Sequence, residues 1–495
     1  MKNRAAGIRP TRLRPTPYCV VMRARRYLTA ATLAVTASLA TAACGGSSGS
    51  GEQPTSAPST APAAPSASSA SSAAAAPSGS TATPPAADTQ TTLRVPAGLR
   101  GGALSGSRTL TLPKGWTATV WARVPDARME AWTPQGDVLV SQPDDGTVVE
   151  LSPGRQGTAT SRTVLSGLTT PQGLAFARLD GRWVLYVGES DQIDRYAWAG
   201  HGVSGSRTVV AGGLPDQDPS GDDVHRDKDV AVTADGTVYF NVGSASNATP
   251  GDRTMNPPRA VIEAVSPTGK NLRVVEQGVR NGEGLAVAPD GTVWTAVNNR
   301  DNITYPAHSS FDGNSNPFGQ VIRGYVNEHP ADEVVPVTAG RDLGWPYCNP
   351  DQDNSHPAGS LVDVPFVPDA VTNPGGGHLN CGALKPVEVG LPAHSAPLGL
   401  SFLQNSKVAA PWSGGAVVAV HGSWDRKPPR APAVLWMLWN SSTHTLGAAV
   451  NLVTGFQDAN GDRWGRPADT VPGPDGALYV SDDTAGAIYR LVPPS

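Results

Sequence analysis

The chain has 495 residues, with Lys plus Arg at 38 against Asp plus Glu at 42, a formal charge of −4 and a pI near 6.1. Its Lys and Arg are scattered rather than striped along one face, so there is no basic field and nothing to recruit nucleic acid. Gly 55 and Pro 46, with Val, Thr and Trp recurring in short runs bounded by turns, favour an all-β domain.

In chain order, Arg23, Arg25 and Arg26 precede an apolar run over 27–43. That run is too short and too rich in Ala and Thr for a membrane span and reads as a signal peptide. Met22 stands just before the basic segment, so two starts are open, Met1 and Met22, the second leaving 1–21 as an upstream extension. The segment Leu39-Ala-Thr-Ala-Ala-Cys44-Gly45 has the form of a bacterial lipobox: small residues fit the peptidase and the Cys44 sulfur becomes acylated. Thr41 stands where Leu is usual, and a plain signal peptide with a stray cysteine is the other reading. Residues 45–90 are almost entirely Ser, Ala, Pro, Thr and Gly, which bury too little apolar surface to offset the entropy of ordering. They predict a disordered tether holding the next domain about 35–40 Å from a membrane. The expected location is outside the cytoplasm, lipid-anchored at the cell membrane or extracellular, with the lipid as the only membrane contact.

The folded part is expected over 91–495, where one unit recurs: an apolar segment, a tight turn of Asp-Gly type, then an alternating strand. Its copies are Gln135-Gly136-Asp137-Val138, Asp180-Gly181-Arg182-Trp183, Asp235-Gly236-Thr237-Val238, Asp290-Gly291-Thr292-Val293, Gly414-Gly415-Ala416-Val417 and Asp475-Gly476-Ala477-Leu478. Six copies predict a six-bladed β-propeller. A β-sandwich pair would need no fixed period, and a β-helix a much shorter one. The segments Gly173-Leu174-Ala175-Phe176, Gly284-Leu285-Ala286-Val287 and Gly399-Leu400-Ser401-Phe402 suit inner strands whose Gly lets backbones crowd near the axis. The wide gap between Asp290 and Gly414 requires an insertion, placed around 350–386.

Of the four cysteines, Cys19 precedes the cleavage point and Cys44 is the acylation candidate. Cys348 and Cys381 remain in an exported, loop-rich region and predict one disulfide. The segment it closes is placed to lie over the pocket as a lid.

No Walker loop, dinucleotide glycine fingerprint, His-Glu-x-x-His or Cys-x-x-Cys is present, and the Ser/Gly runs of the tether lack a strand-turn-helix context, which argues against nicotinamide, zinc and serine-hydrolase chemistry. What remains are polar residues just before or after blade strands: His225, the Arg280-Asn281 pair, and Asn298 to Asn302 with Arg300 and Asp301. A propeller brings such positions to one face of its axis, so His225, Arg280 and Asp301 can share a pocket. Taken singly, each is better read as satisfying a turn or strand end.

Seven ordered motifs, spread over about 95–492, carry a family resemblance. They are His225-x-x-x-x-Val230 with Asp235-Gly236-Thr237-Val238-Tyr239 and Gly243; Gly278-Val279-Arg280-Asn281-x-x-Gly284-Leu285; Asp332-Glu333; Gly344-Trp345-Pro346; Ala396-Pro397-x-Gly399-Leu400; His421-Gly422-Ser423-Trp424-Asp425-Arg426-x-Pro428; and Trp464-Gly465-Arg466-Pro467. Together they resemble the superfamily of sugar dehydrogenases dependent on pyrroloquinoline quinone (PQQ), of the soluble glucose and L-sorbosone dehydrogenase kind. The resemblance implies PQQ and Ca²⁺ as cofactors, a small-molecule sugar or related polyol or aldehyde as substrate, and an external electron acceptor. It implies His225 as general base and Arg280 as catalytic donor to the quinone oxygen, with Arg280, Asn281, Arg426 and Arg466 holding the cofactor. It places Asp301-Asn302 at the cofactor's calcium and Glu333 at a separate structural one, though the acidic stretch 327–333 is an equal source of ligands. His394 is either a substrate contact or a solvated loop residue. The charged run Arg226-Asp227-Lys228 departs from the family pattern. Two other readings stay open, a calcium-dependent lactonase-type propeller, in which the arginines have no role, and a non-catalytic carbohydrate-binding surface propeller.

Overall fold

In the computed structural model, the described residues are 87–154, 157–217, 225–351 and 361–494. The signal peptide, Cys44 and the tether up to residue 86 lie outside them. The first strand, Thr89–Thr92, pairs with Thr109–Leu112 ahead of the propeller.

Six antiparallel blades follow. Blade 1 runs Glu130–Trp132, Val138–Gln142, Thr147–Pro153 and Ala159–Ser166. Blade 2 is Leu174–Leu179, Arg182–Gly188, Gln192–Ala199 and Gly202–Gly212. Blade 3 is Val230–Val232, Val238–Val242, Val261–Val265 and Arg273–Gln277. Blade 4 takes Gly282–Val287, Val293–Val297, Asp332–Pro336 and Val387–Leu391, with Val362–Val364 added at its edge. Blade 5 begins Pro397–Phe402, Gly415–Val420 and Ala433–Asn440. Blade 6 joins Pro467–Pro472, Leu478–Asp482 and Ala487–Val492 to Thr117–Arg123 from the start of the domain, so the two ends of the ring close in one sheet.

All six repeat copies found in the sequence lead into second strands. These strands read as unbroken apolar runs because both of their faces are buried against neighbouring blades. In blade 1, Val138 and Val140 face the cluster shared with blade 6, while Leu139 faces the one shared with blade 2. In blade 4, Val293 and Val297 pack toward blade 3, and Trp294 and Ala296 toward blade 5. A period of two thus builds a separate apolar cluster at each seam between blades. Asp-Gly serves the turn before these strands for two reasons. Gly236, Gly291 and Gly476 have φ of 86°, 89° and 84°, a region glycine enters freely. The Asp235 and Asp290 carboxylates accept the Thr237 and Thr292 amides at 3.0 Å. Close approach at the axis is equally specific: a Cβ on Gly173 would stand 2.6 Å from the Asp229 Cα, and one on Gly399 would stand 2.7 Å from that of Asp469.

Blade 4 carries two excursions. Between its second and third strands, residues 298–331 hold the helix Arg323–Glu328 and a small core of Ile303, Tyr305, Tyr325 and Val326. Between its third and fourth strands lies the segment bridged by Cys348 and Cys381, whose Cα atoms are 5.6 Å apart. That disulfide is as expected from the sequence; the tip of the segment, 352–360, lies outside the described residues. Replacing both cysteines with Ser is expected to lower stability by roughly 3–4 kcal/mol, the loop-closure entropy of a crosslink of this span. Denaturant melts of the variant and of reduced wild type should agree, and an unshifted midpoint in both would show the bridge to be dispensable.

Candidate active site

The Asp-Gly turns join first to second strands at one face of the ring. The opposite face therefore gathers every residue that precedes a first strand or follows a second one. His225 and Asp227 enter blade 3; Arg280, Asn281 and Glu283 begin blade 4; Asp301 follows its second strand; His394 enters blade 5 and His421 and Asp425 leave its second strand; Arg466 enters blade 6 and Asp483 leaves its second strand. Arg128 and Gln172 do the same for blades 1 and 2.

On one side, His225 is fixed by Ser244. Its Nδ1 lies 2.9 Å from the Ser244 Oγ and 3.3 Å from the Ser244 carbonyl. Because that hydroxyl already donates to the Ser246 carbonyl at 2.7 Å, it can only accept from the ring. The proton therefore sits on Nδ1, and Nε2 carries a lone pair with no partner among the described residues. Burial, then the Arg280 charge, pushes His225 down to about 3. Gly243 makes room here: a Cβ on it would stand 2.5 Å from the His225 Cβ and 2.9 Å from the Asn281 Oδ1.

Arg280, 1% exposed, is held at 3.1 Å by the Asn247 side-chain oxygen and the Asn298 carbonyl, and at 3.2 Å by the Asp301 carboxylate. Asn247 also accepts the Asp301 amide at 2.9 Å and donates to its carbonyl at 2.8 Å, which makes it the hub of this wall. Asp301, His394 and Asp425 bring two carboxylates and an imidazole within 4.8 Å of one another. The His394 Nε2 donates to the Val326 carbonyl at 2.6 Å, and its Nδ1 stands 3.2 Å from Asp425 and 3.7 Å from Asp301. Burial would lower His394, but Asp301 and Asp425 raise it. Burial would raise Asp301, yet His394 and Arg280 hold its carboxyl below the ordinary range. Asn302, at φ 45°, donates its amide to Asp425 at 3.2 Å.

The floor is built around Arg128. Its guanidinium reaches Asp483 at 3.1 Å, Glu283 at 3.3 Å, Asp227 at 3.4 Å and the Gln172 oxygen at 3.2 Å. Asn281 donates to Glu283 at 2.9 Å, tying the floor to the His225 wall. Asp483 also pairs with His421 at 2.9 Å, and the His421 carbonyl accepts the Arg466 Nε at 3.0 Å. Both Arg466 Nη groups lack a partner among the described residues.

His225, Arg280, Asn281, Asp301, Asn302, His394 and Arg466 thus lie on one face, and His394, 5% exposed, is not a solvated loop residue. Arg426 follows Asp425 in the same loop but is engaged by other groups, and Glu333, expected at a separate calcium, stands apart from this set. The Arg426 guanidinium is engaged by the Asn327 and Pro428 carbonyls and, at 2.7 Å, by Glu328. Glu333 lies in the third strand of blade 4 with one oxygen bonded to Asn299 at 2.7 Å; burial pushes it up to about 8. The other Glu333 oxygen is buried without a hydrogen-bond partner among the described residues. Sequence reasoning missed Arg128, Gln172, Asn247, Glu283 and Asp483. Only Glu283, two residues after Asn281 on the same strand face, carried a signal of its own.

A flat anionic quinone cofactor fits this face on three counts. The Arg466 fork is open for a carboxylate, the buried Asn281 Oδ1 has no partner among the described residues, and the bare His225 Nε2 stands beside it. Asp301 and Asp425 supply hard oxygen donors of the kind calcium takes, and the Asp425 Oδ1 accepts no hydrogen bond.

Comparison with known proteins places the fold. The chain resembles the holo PQQ domain of pyranose dehydrogenase from Coprinopsis cinerea with a TM-score of 0.63 and 20% identity, over 81% of this chain and 99% of that one. It resembles the calcium structure of the Trichoderma reesei family AA12 enzyme with a TM-score of 0.62 and 19% identity, over 77% and 96%. In sequence it is 27% identical over 293 residues to a PQQ-dependent pyranose dehydrogenase of Coprinopsis cinerea, 51% of this chain and 37% of that protein. It is 24% identical over 262 residues to an uncharacterized protein of Borreliella burgdorferi, of which 56% is covered. The chain therefore spans about half or less of the length of these curated relatives. The family model described as TrAA12-like matches residues 110–493, most of the chain and all six blades, and the chain belongs to that family.

Proposed function

We propose that the chain oxidises a sugar, or a related polyol or aldehyde, using PQQ and calcium, and passes the electrons to an external acceptor. The observation that carries this reading is the fixed tautomer of His225, which points a bare Nε2 at a face that also holds an open arginine fork. Relatives named as PQQ-dependent pyranose dehydrogenases support the choice of cofactor and substrate class.

PQQ, when bound, supplies a quinone that accepts hydride, and calcium polarises it. Arg466 and Asn281 would hold the cofactor, and Asp301 and Asp425 the ion. His225 takes the substrate hydroxyl proton at Nε2 while its Nδ1–H stays on Ser244, so the ring does not rotate during the transfer. Being neutral far below pH 7, it is always in the basic form. Arg280 keeps a fixed positive charge beside the reacting atoms, and its carboxylate and amide partners are already in place before substrate arrives. Arg128 and its carboxylates close the floor against water from the axis.

The test is calorimetry of the full chain with PQQ and calcium, followed by dye reduction with a panel of aldoses and sorbosone. Uptake of PQQ and reduction by at least one sugar are expected. No PQQ uptake and no dye reduction with any sugar or polyol would leave a binding propeller in its place.

A further inference from the structure

A cavity of about 290 Å³ lies on the propeller axis, lined by the first strands of all six blades. Among its lining side chains the polar ones are Ser401 and three carboxyl groups: Glu130 of blade 1, Asp229 at the start of blade 3, and Asp469 of blade 6. It sits beneath Arg128, on the side away from His225, and shares no residue with the face described above.

Two of the acids have structural tasks. Asp469 accepts the Glu130 amide at 2.9 Å and the Thr470 amide at 2.7 Å, and Asp229 accepts those of Val230 at 2.8 Å and Leu285 at 2.6 Å. Each bond to another blade ties a seam. Glu130 has no such task. Its side chain is in the cavity wall, the residue is 5% exposed, and neither carboxyl oxygen has a hydrogen-bond partner among the described residues. The Ser481 amide is near enough to favour the charged form without closing a bond. An acid buried this way is among the most unfavourable arrangements a core can hold unless something compensates it. The neighbours make matters worse: burial and then the Asp469 charge push Glu130 well above the ordinary range, and burial pushes Asp229 and Asp469 up to about 7. The nearby guanidinium of Arg128 is directed at Gln172, Asp227, Glu283 and Asp483 instead.

We propose that the axial cavity binds a divalent cation of the calcium type, with Glu130 as its anchoring ligand and Asp229 and Asp469 facing it across part of a retained water shell. An all-oxygen, mostly carboxylate set suits a hard cation that keeps several waters, and the volume leaves room for them. Bound there, the ion would clamp blades 1, 3 and 6.

The experiment uses the full chain, stripped of metal and without PQQ, titrated with calcium by calorimetry and followed by thermal melting. Wild type is expected to melt higher with calcium in about 100-fold excess over its Kd. Glu130→Gln is expected to melt above wild type in EDTA, because it removes the unpaired acid, yet to gain less from calcium and to bind one ion fewer. Asp301→Asn, which alters only the cofactor face, is expected to retain the axial ion. Undiminished calcium uptake and stabilisation in Glu130→Gln overturns the proposal. Should that variant fail to fold, wild-type crystals soaked in terbium decide: an anomalous peak inside the axial cavity supports the site, and a cavity without one overturns it.

Discussion

His225→Ala is expected to lower turnover by about 10²- to 10⁴-fold, the range lost when a positioned general base is removed. PQQ affinity should change little, since the cofactor contacts argued above belong to Arg466 and Asn281. The drop should appear equally in kcat and kcat/KM, because the proton moves only on the way to the transition state. The pH profile provides a second readout. With His225 pushed down to about 3 by burial and Arg280, the base is unprotonated throughout the usual assay range, so no acid limb near 6.5 should be assignable to it. Ser244→Ala removes the hydroxyl that fixes the ring but neither the burial nor the Arg280 charge, so it should lower turnover more mildly and bring back no titration near 6.5. Full activity in His225→Ala would remove the ring from the mechanism, and the His421–Asp483 pair would become the base to test.

Arg128→Met is expected to destabilise the fold by about 3–5 kcal/mol at pH 8, the penalty of breaking a buried ion pair from one side. The guanidinium is the counter-charge of Asp227, Glu283 and Asp483 together, and methionine fills the space without replacing any of those bonds. The loss should depend on pH in a predictable direction. Burial already holds Glu283 up to about 7 against the pull of Arg128. A carboxyl raised in the folded state contributes stability at low pH and loses it as pH rises through the folded value. Without Arg128 that value rises further, so the variant should lie nearer wild type at pH 5.5 than at pH 8. Urea midpoints at the two pH values check this. A loss under 1 kcal/mol at both would mean that water replaces the guanidinium at the floor.

The blades were legible in the sequence because each second strand is buried on both faces and follows a turn that only a few residues can make. The crowding glycines were legible for a similar reason: Gly173 and Gly399 face a neighbouring backbone that admits no Cβ. The floor of the site was not. Arg128 and Asp483 are 355 residues apart, and neither stands in a motif; they meet only because blade 6 lies beside blade 1. Arg426 shows the converse case. Its residue type suits an anionic cofactor, but the helix Arg323–Glu328, part of an excursion with no counterpart in the repeat, brings Glu328 against it. Blade 4's added strand escaped notice for the same reason, since insertions carry no period.

The closing sheet also sets a timetable for synthesis. Thr117–Arg123 is made long before its partner Ala487–Val492, and the Arg123 side chain reaches the Gly486 carbonyl across 363 residues. At ribosomal rates the early strand waits on the order of 20–70 s for its partner. During that interval its backbone is an open edge, ready to pair with any passing strand. Stopping synthesis before Ala487–Val492 would make the wait permanent, so such a ribosome yields a chain with five complete blades and an adhesive end.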